Sequence, residues 1–232
     1  MQKLGRVFSF LFNAFLALFF VGAAIPGTHR VVCSDCFGLV EIAPRVWTDR
    51  PSKGIELLSL RSQAQTKVAD FFKDAPPNPT TIFCTTKTCA QTFGIGGNGL
   101  SISDMVVMFS PGGLTLGTMT HEMTHSRLHR NMGLRNIWAQ PFPSWFDEGL
   151  ATHVAGHPNT GRVARAGERR RVQQARRVWQ WGSTMRALGV GQAYTAAAAE
   201  VAALEARLGR DGLLDIIERA DKGENFDSLL KK

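Results

Sequence analysis

His121-Glu122-Met123-Thr124-His125, followed by Trp145-Phe146-Asp147-Glu148-Gly149-Leu150-Ala151, decides how this chain is read. On a helix, residues four apart lie one turn above each other on the same face, so His121 and His125 can aim both imidazoles at one metal ion. Glu122 lies about 100° round the helix from His121. From there its carboxylate reaches a water beside the ion rather than the ion itself, where hydrolysis needs a general base. A catalytic zinc takes three protein ligands and leaves one position open. Glu148 is the candidate third ligand. Pro141 and Pro143 precede it, and Ser144 with Asp147 three residues later reads as the N-cap and capping box of a second helix. The 22 residues between His125 and Glu148 let the first helix finish near Met132, turn at Gly133 and return a second helix alongside.

Together the two motifs resemble the gluzincin metallopeptidases, whose zinc is held by two His of one helix and a Glu of the next. The resemblance implies that His121, His125 and Glu148 bind zinc and that Glu122 is the general base for a metal-activated water. It further implies a peptide or protein substrate. The alternative metzincin pattern needs Gly at 128 and His at 131, where this chain has Leu128 and Asn131. His129 lies one more turn along the helix; it reads as a surface or outer-sphere histidine before a competing ligand. In aminopeptidase-N-like gluzincins a Tyr on a later helix helps hold the oxyanion. Tyr194, the single Tyr of the chain, looks similar in pattern, its alternative being a helix-start Tyr packed on its neighbours. No GxMEN-like exopeptidase motif is present, and Thr152 stands where an acidic residue sometimes follows the third ligand by four.

The N-terminus carries Lys3 and Arg6, then an almost unbroken apolar run from Val7 to Ile25 that ends at Pro26-Gly27. About 19 residues is just enough to span a bilayer as a helix. We read residues 1–27 as a retained anchor with its charged tip inside and the rest of the chain on the extracytoplasmic side. Gly22-Ala23-Ala24 supplies the cleavage site of the alternative, a removed signal peptide and an exported protein. Residues 28–232 then form one domain, divided into sheet plus motif helix over 28–133 and a helical lobe over 134–232.

Four cysteines suit an oxidising compartment. Cys33, Cys36, Cys84 and Cys89 are expected to form two disulfides, for which three connectivities are open. A thioredoxin-like Cys33/Cys36 pair lacks its βαβ context, and a four-Cys zinc site lacks its repeat.

Along the chain, a short strand is expected around 37–42. Leu57, Leu58, Leu60, Val68, Phe71 and Phe72 then mark a helix that runs until Pro76-Pro77. Thr80 to Cys84 reads as a strand, as does the apolar run Met105 to Phe109. In the gluzincin fold a small sheet lies over the active-site helix and its edge strand pairs with the substrate backbone. The resemblance suggests that role for 105–109, with a plain core strand as the alternative. Gly94-Ile95-Gly96-Gly97-Asn98-Gly99 matches GxGxxG literally, yet it leads into a strand rather than a helix, so it reads as a loop bordering the cleft. Beyond Glu148 helices are expected to the end, broken at Gly182, Gly189–Gly191, Gly209 and Gly223, with one helix running from Tyr194 to Gly209.

The net charge of +8 owes much to seven arginines between Arg162 and Arg177. Such density attracts anionic partners through a screened field, but a solvated helix face is the commoner origin, and no nucleic-acid motif accompanies it. The expectation is therefore an α+β, zincin-like zinc metallopeptidase held at a membrane, with no specific nucleic-acid partner. The runner-up is a catalytically inactive, membrane-tethered binding module that uses its Arg-rich face. A thiol-redox protein built on Cys33 and Cys36 is third.

Overall fold

The computed structural model describes residues 28–131, 140–156 and 163–231. It is α+β and mostly helical, with eight α-helices and one five-stranded sheet among the described residues. Two short 3₁₀ turns, Thr28–Cys33 and Asp35–Phe37, lead into β1 (Val40–Ala43) and β2 (Val46–Thr48). Helix α1 (Gly54–Phe72), β3 (Thr80–Phe83), α2 (Lys87–Thr92), β4 (Gly99–Ile102) and β5 (Val106–Phe109) follow. The motif helix is α3 (Leu116–Leu128), and α4 (Ser144–Ala155) carries Glu148. Four further helices complete the lobe: α5 (Ala166–Gln173), α6 (Val178–Leu188), α7 (Val190–Asp221) and α8 (Phe226–Leu230).

The sheet order is β1-β2-β3-β5-β4. β2, β3 and β5 run parallel, while β1 and β4 are antiparallel to their neighbours. Alternation along the parallel strands sorts side chains to two faces. Phe83 and Phe109 sit in register, stack at 5.5 Å, and join Val46 and Val107 in the main core with α1 and α3. Ile82 and Met108 point the other way, onto Cys89, Ala90, Phe93 and Ile95 of the α2 region. Full burial of each large side chain contributes about 2 kcal/mol relative to exposure.

Helix α3 is enclosed almost on all sides. Met119, Met123 and Leu128 have no exposed surface, and the buried hydroxyls of Thr120 and Thr124 donate to the carbonyls of Leu116 and Thr120. It packs between α1, β4 and α4. Thr115 caps its start by accepting the Thr118 N–H at 3.2 Å. Helix α4 in turn lies on α7, and Gly149 permits the close crossing: a β-carbon there would come within 2.6 Å of the Ala197 carbonyl oxygen. The crossing fixes α4 one residue from Glu148.

Several expectations are corrected. Pro143, not Ser144, occupies the N-cap of α4. The Ser144 hydroxyl makes no hydrogen bond among the described residues, because the Asp147 carboxylate that would complete a capping box is turned to two histidines. Residues 106–109 form an interior strand between β3 and β4, so the edges belong to β1 and to Gly99–Ile102, the latter packed on α3. Helix α1 stops at Phe72, before the prolines, because Lys73 adopts a left-handed cap (φ 53°). Tyr194 lies in the second turn of α7 rather than at its start, while the break expected at Gly209 is present: non-helical backbone there (φ 71°, ψ 167°) separates two helical stretches that together reach Asp221. Gly182 is inside α6 and breaks nothing.

The cysteines pair as Cys33–Cys36 and Cys84–Cys89, one of the three open connectivities, and no described cysteine is free. No described helix is long and apolar enough to cross a membrane; residues 1–27, on which the anchor reading rests, lie outside the described residues, as do Gly133 and Arg162.

Candidate metal centre

Helices α3 and α4 bring His121, His125 and Glu148 together. His121 Nε2 and His125 Nε2 are 3.0 Å apart, and Glu148 Oε2 stands 3.3 Å from the first and 3.5 Å from the second. Three donors at about 2.0–2.1 Å from a tetrahedral ion would be separated by about 3.3 Å. The triangle of 3.0, 3.3 and 3.5 Å thus has the right size. Its chemistry fits too: two neutral-capable imidazoles and a carboxylate are a zinc-type donor set. Glu148 Oε2 is buried and receives no well-aligned hydrogen bond among the described residues, which leaves it free to face a cation.

The site pairs its carboxylates with its histidines: against burial, Asp147 and Glu148 raise His125 well above the usual imidazole range. Burial acts to raise the pKa of the Glu148 carboxyl, but His121 and His125 outweigh it and hold it at about 2. Asp147, adjacent in sequence, accepts from His125 Nδ1 at 2.8 Å and from His129 Nε2 at 2.9 Å. Burial opposes ionisation there as well, yet the two histidines keep Asp147 far below the ordinary carboxylate range. An ionised carboxylate only accepts, so both ring nitrogens facing it carry hydrogens. With its Nδ1 protonated, His125 presents Nε2 toward His121 and Glu148.

Glu122 lies beside the triangle, 9% exposed. Burial pushes its carboxyl above the usual range, against the pull of His121 and His125, as suits a group that must take up a proton. It lines a cleft of about 470 Å³ together with Asn98, Gly99, His121, Val190 and Tyr194. Tyr194 meets the His121 ring edge-on at 5.7 Å and the Trp181 ring at 5.3 Å. Burial first, then the Glu148 charge, raises its pKa well above normal, so the phenol stays a hydrogen-bond donor.

Of the five residues singled out from the sequence, His121, Glu122 and Tyr194 line this cleft, and His125 and Glu148 meet His121 in the donor triangle. The glycine-rich loop expected to border the cleft does so through Gly97, Asn98 and Gly99. Two contributors were missed. Asp147 reads in sequence as a helix-cap residue; its place immediately before Glu148 on a helix facing the histidines was the available signal. Trp181 carried no sequence signal, because only the packing shows that it touches Tyr194. His129 falls where an outer-sphere histidine was expected.

The Arg-rich stretch is partly engaged in the fold: Arg169 pairs with Glu200 and Arg176 with Asp227 at 2.5 Å. A larger hollow of about 610 Å³ is bordered by Lys73, Arg127 and Arg130, which are paired with Asp211 and Asp74.

Comparison of the chain with protein-family models, with curated proteins and with solved structures finds no match.

Proposed function

We propose that this protein is a zinc metallopeptidase of the gluzincin type, acting on peptide bonds from a membrane-anchored, extracytoplasmic position. The observation that carries the reading is the donor triangle of His121, His125 and Glu148 with the buried Glu122 beside it. Zinc bound there would supply Lewis acidity, lowering the pKa of water and polarising a carbonyl.

The residues supply the rest. Glu122 accepts the proton of the attacking water and delivers it to the nitrogen of the departing amine, one group serving as base and then acid. The Tyr194 phenol donates to the carbonyl oxygen as negative charge develops on it. Asp147 holds His125 in the tautomer that turns Nε2 inward. The cleft borders edge strand β4, whose outer side is unpaired in the sheet and offers backbone groups to an extended peptide.

The test is metal content. The full-length chain, purified from an oxidising compartment, should carry one zinc per chain, and Glu148→Ala should lose it or hold it far more weakly. Folded wild-type protein that takes up no zinc would overturn the proposal.

A further inference from the structure

The motif helix carries a third histidine on the same face, and its bonding is unlike that of the first two. His129 stands at the C-cap of α3, its N–H donating to the His125 carbonyl at 2.9 Å. The Ser103 hydroxyl, from the turn between β4 and β5, donates to the His129 carbonyl at 3.1 Å. Its backbone is thus held from both sides. Its ring stacks on that of His125 at 5.6 Å and 30°, and its Nε2 lies 3.0 and 2.9 Å from the two oxygens of Asp147. The side chains of His125, Asp147 and His129 are 11, 13 and 16% exposed.

We propose that His129 is a positioning residue for the metal centre, acting through Asp147 on His125; this rests on the metallopeptidase reading. A carboxylate that touched His125 alone would keep its second oxygen buried without a partner and could turn about its own bond. His129 spans both oxygens, and so locks the carboxylate plane and keeps Oδ1 on the Nδ1 hydrogen of His125. The alternative, a second cation held by His125, His129 and Asp147, fits less well. His125 turns Nε2 to the first site and Nδ1 to Asp147 at 2.8 Å, so a second ion on Nδ1 would require the ring to give up its last hydrogen and bridge two ions.

The experiment is zinc competition against a chromophoric chelator on the full-length chain, with stoichiometry and the visible spectrum of the cobalt-substituted protein recorded alongside. Loss of an outer-sphere partner typically weakens metal binding about 10- to 100-fold, and His129→Leu is expected to do so while keeping one site and altering the cobalt spectrum. His129→Gln, whose amide can donate from the place of Nε2, is expected to recover binding to within about threefold of wild type. In an Asp147→Ala background, His129→Leu should add nothing, as two members of one chain of contacts are not additive. If His129→Leu does not fold, His129→Asn, too short to reach Asp147, carries the same expectation.

Binding unchanged in His129→Leu, no recovery in His129→Gln, or a full extra loss in the Asp147→Ala background would each overturn the inference while leaving the zinc site standing. Two zinc ions per chain would replace it with the second-cation reading. Wild type that binds no zinc would remove the site itself, and this inference with it.

Discussion

Gly99, the first residue of edge strand β4, lies against the side chain of Glu122: a β-carbon at 99 would stand 2.6 Å from Cγ and 2.7 Å from Oε1. The backbone of the cleft wall and the proposed base thus share a space that only hydrogen can fill. Gly99→Ala must push the flexible end of Glu122 back by about half an ångström or more to reach ordinary contact. Small displacements of a reacting group cost up to about 100-fold in rate. We predict a fall in kcat of about that size with zinc content unchanged. Equal turnover in wild type and Gly99→Ala would show that the close approach has no bearing on the chemistry.

Glu122→Gln preserves shape and removes the proton acceptor. Because Glu122 lies outside the His121–His125–Glu148 triangle, the variant should retain one zinc per chain and lose hydrolysis by about 10²- to 10⁴-fold. Metal analysis beside single-turnover hydrolysis of a peptide library checks both halves. Full activity would rule out Glu122 as the base.

The centre was legible because it rests on helical spacing: His121, Glu122 and His125 need only one turn of helix, and Glu148 needs only a second helix to return. What escaped was set by contacts between elements. Asp147 looked like a capping residue because a sequence shows its distance from Ser144 but not the histidines across the helix interface. The strand at 106–109 was recognised from its apolar run, yet continuous hydrophobicity is the mark of an interior strand covered on both faces, and β4, with its partly buried Gly-Leu-Ser-Ile, is an edge. Tyr194 was placed at a helix start because Gly189–Gly191 was read as a break; Gly189 (φ 84°) does separate α6 from α7, but Gly191 already lies inside the helix, which begins at Val190. Cysteine pairing could not be chosen among three connectivities until the α2 turn brought Cys84 and Cys89 within 5.2 Å between α-carbons.

Asp49 fastens the turn into α2. Its carboxylate accepts the Thr85 N–H at 2.7 Å, the Thr86 N–H at 3.1 Å and the Thr86 hydroxyl at 2.7 Å. Burial raises its pKa, but these hydrogen bonds, Thr86 foremost, outweigh it and leave the carboxyl below its ordinary value. A depressed folded-state pKa gives stability that is complete above the unfolded value of about 3.9 and is lost as pH falls through the folded one. Asp49→Ala should therefore lower Tm at pH 7, and the gap to wild type should narrow as pH falls below about 4. A gap that stays constant down to pH 2 would show that the charge contributes nothing.

Tyr194→Phe isolates the phenol. The ring keeps its edge contacts with His121 and Trp181, so zinc binding and thermal stability should change little. Only the phenolic hydroxyl is lost. Removing one donor to a developing oxyanion costs about 10²- to 10³-fold in kcat, and because the interaction strengthens as charge develops, KM should move far less than kcat. The measurement is the split between the two constants on one peptide substrate, with zinc content as control. A change confined to KM would make Tyr194 a substrate contact. Unchanged constants would reduce it to the packing partner of Trp181, and the negative charge on the carbonyl oxygen would then have to be met without the phenol.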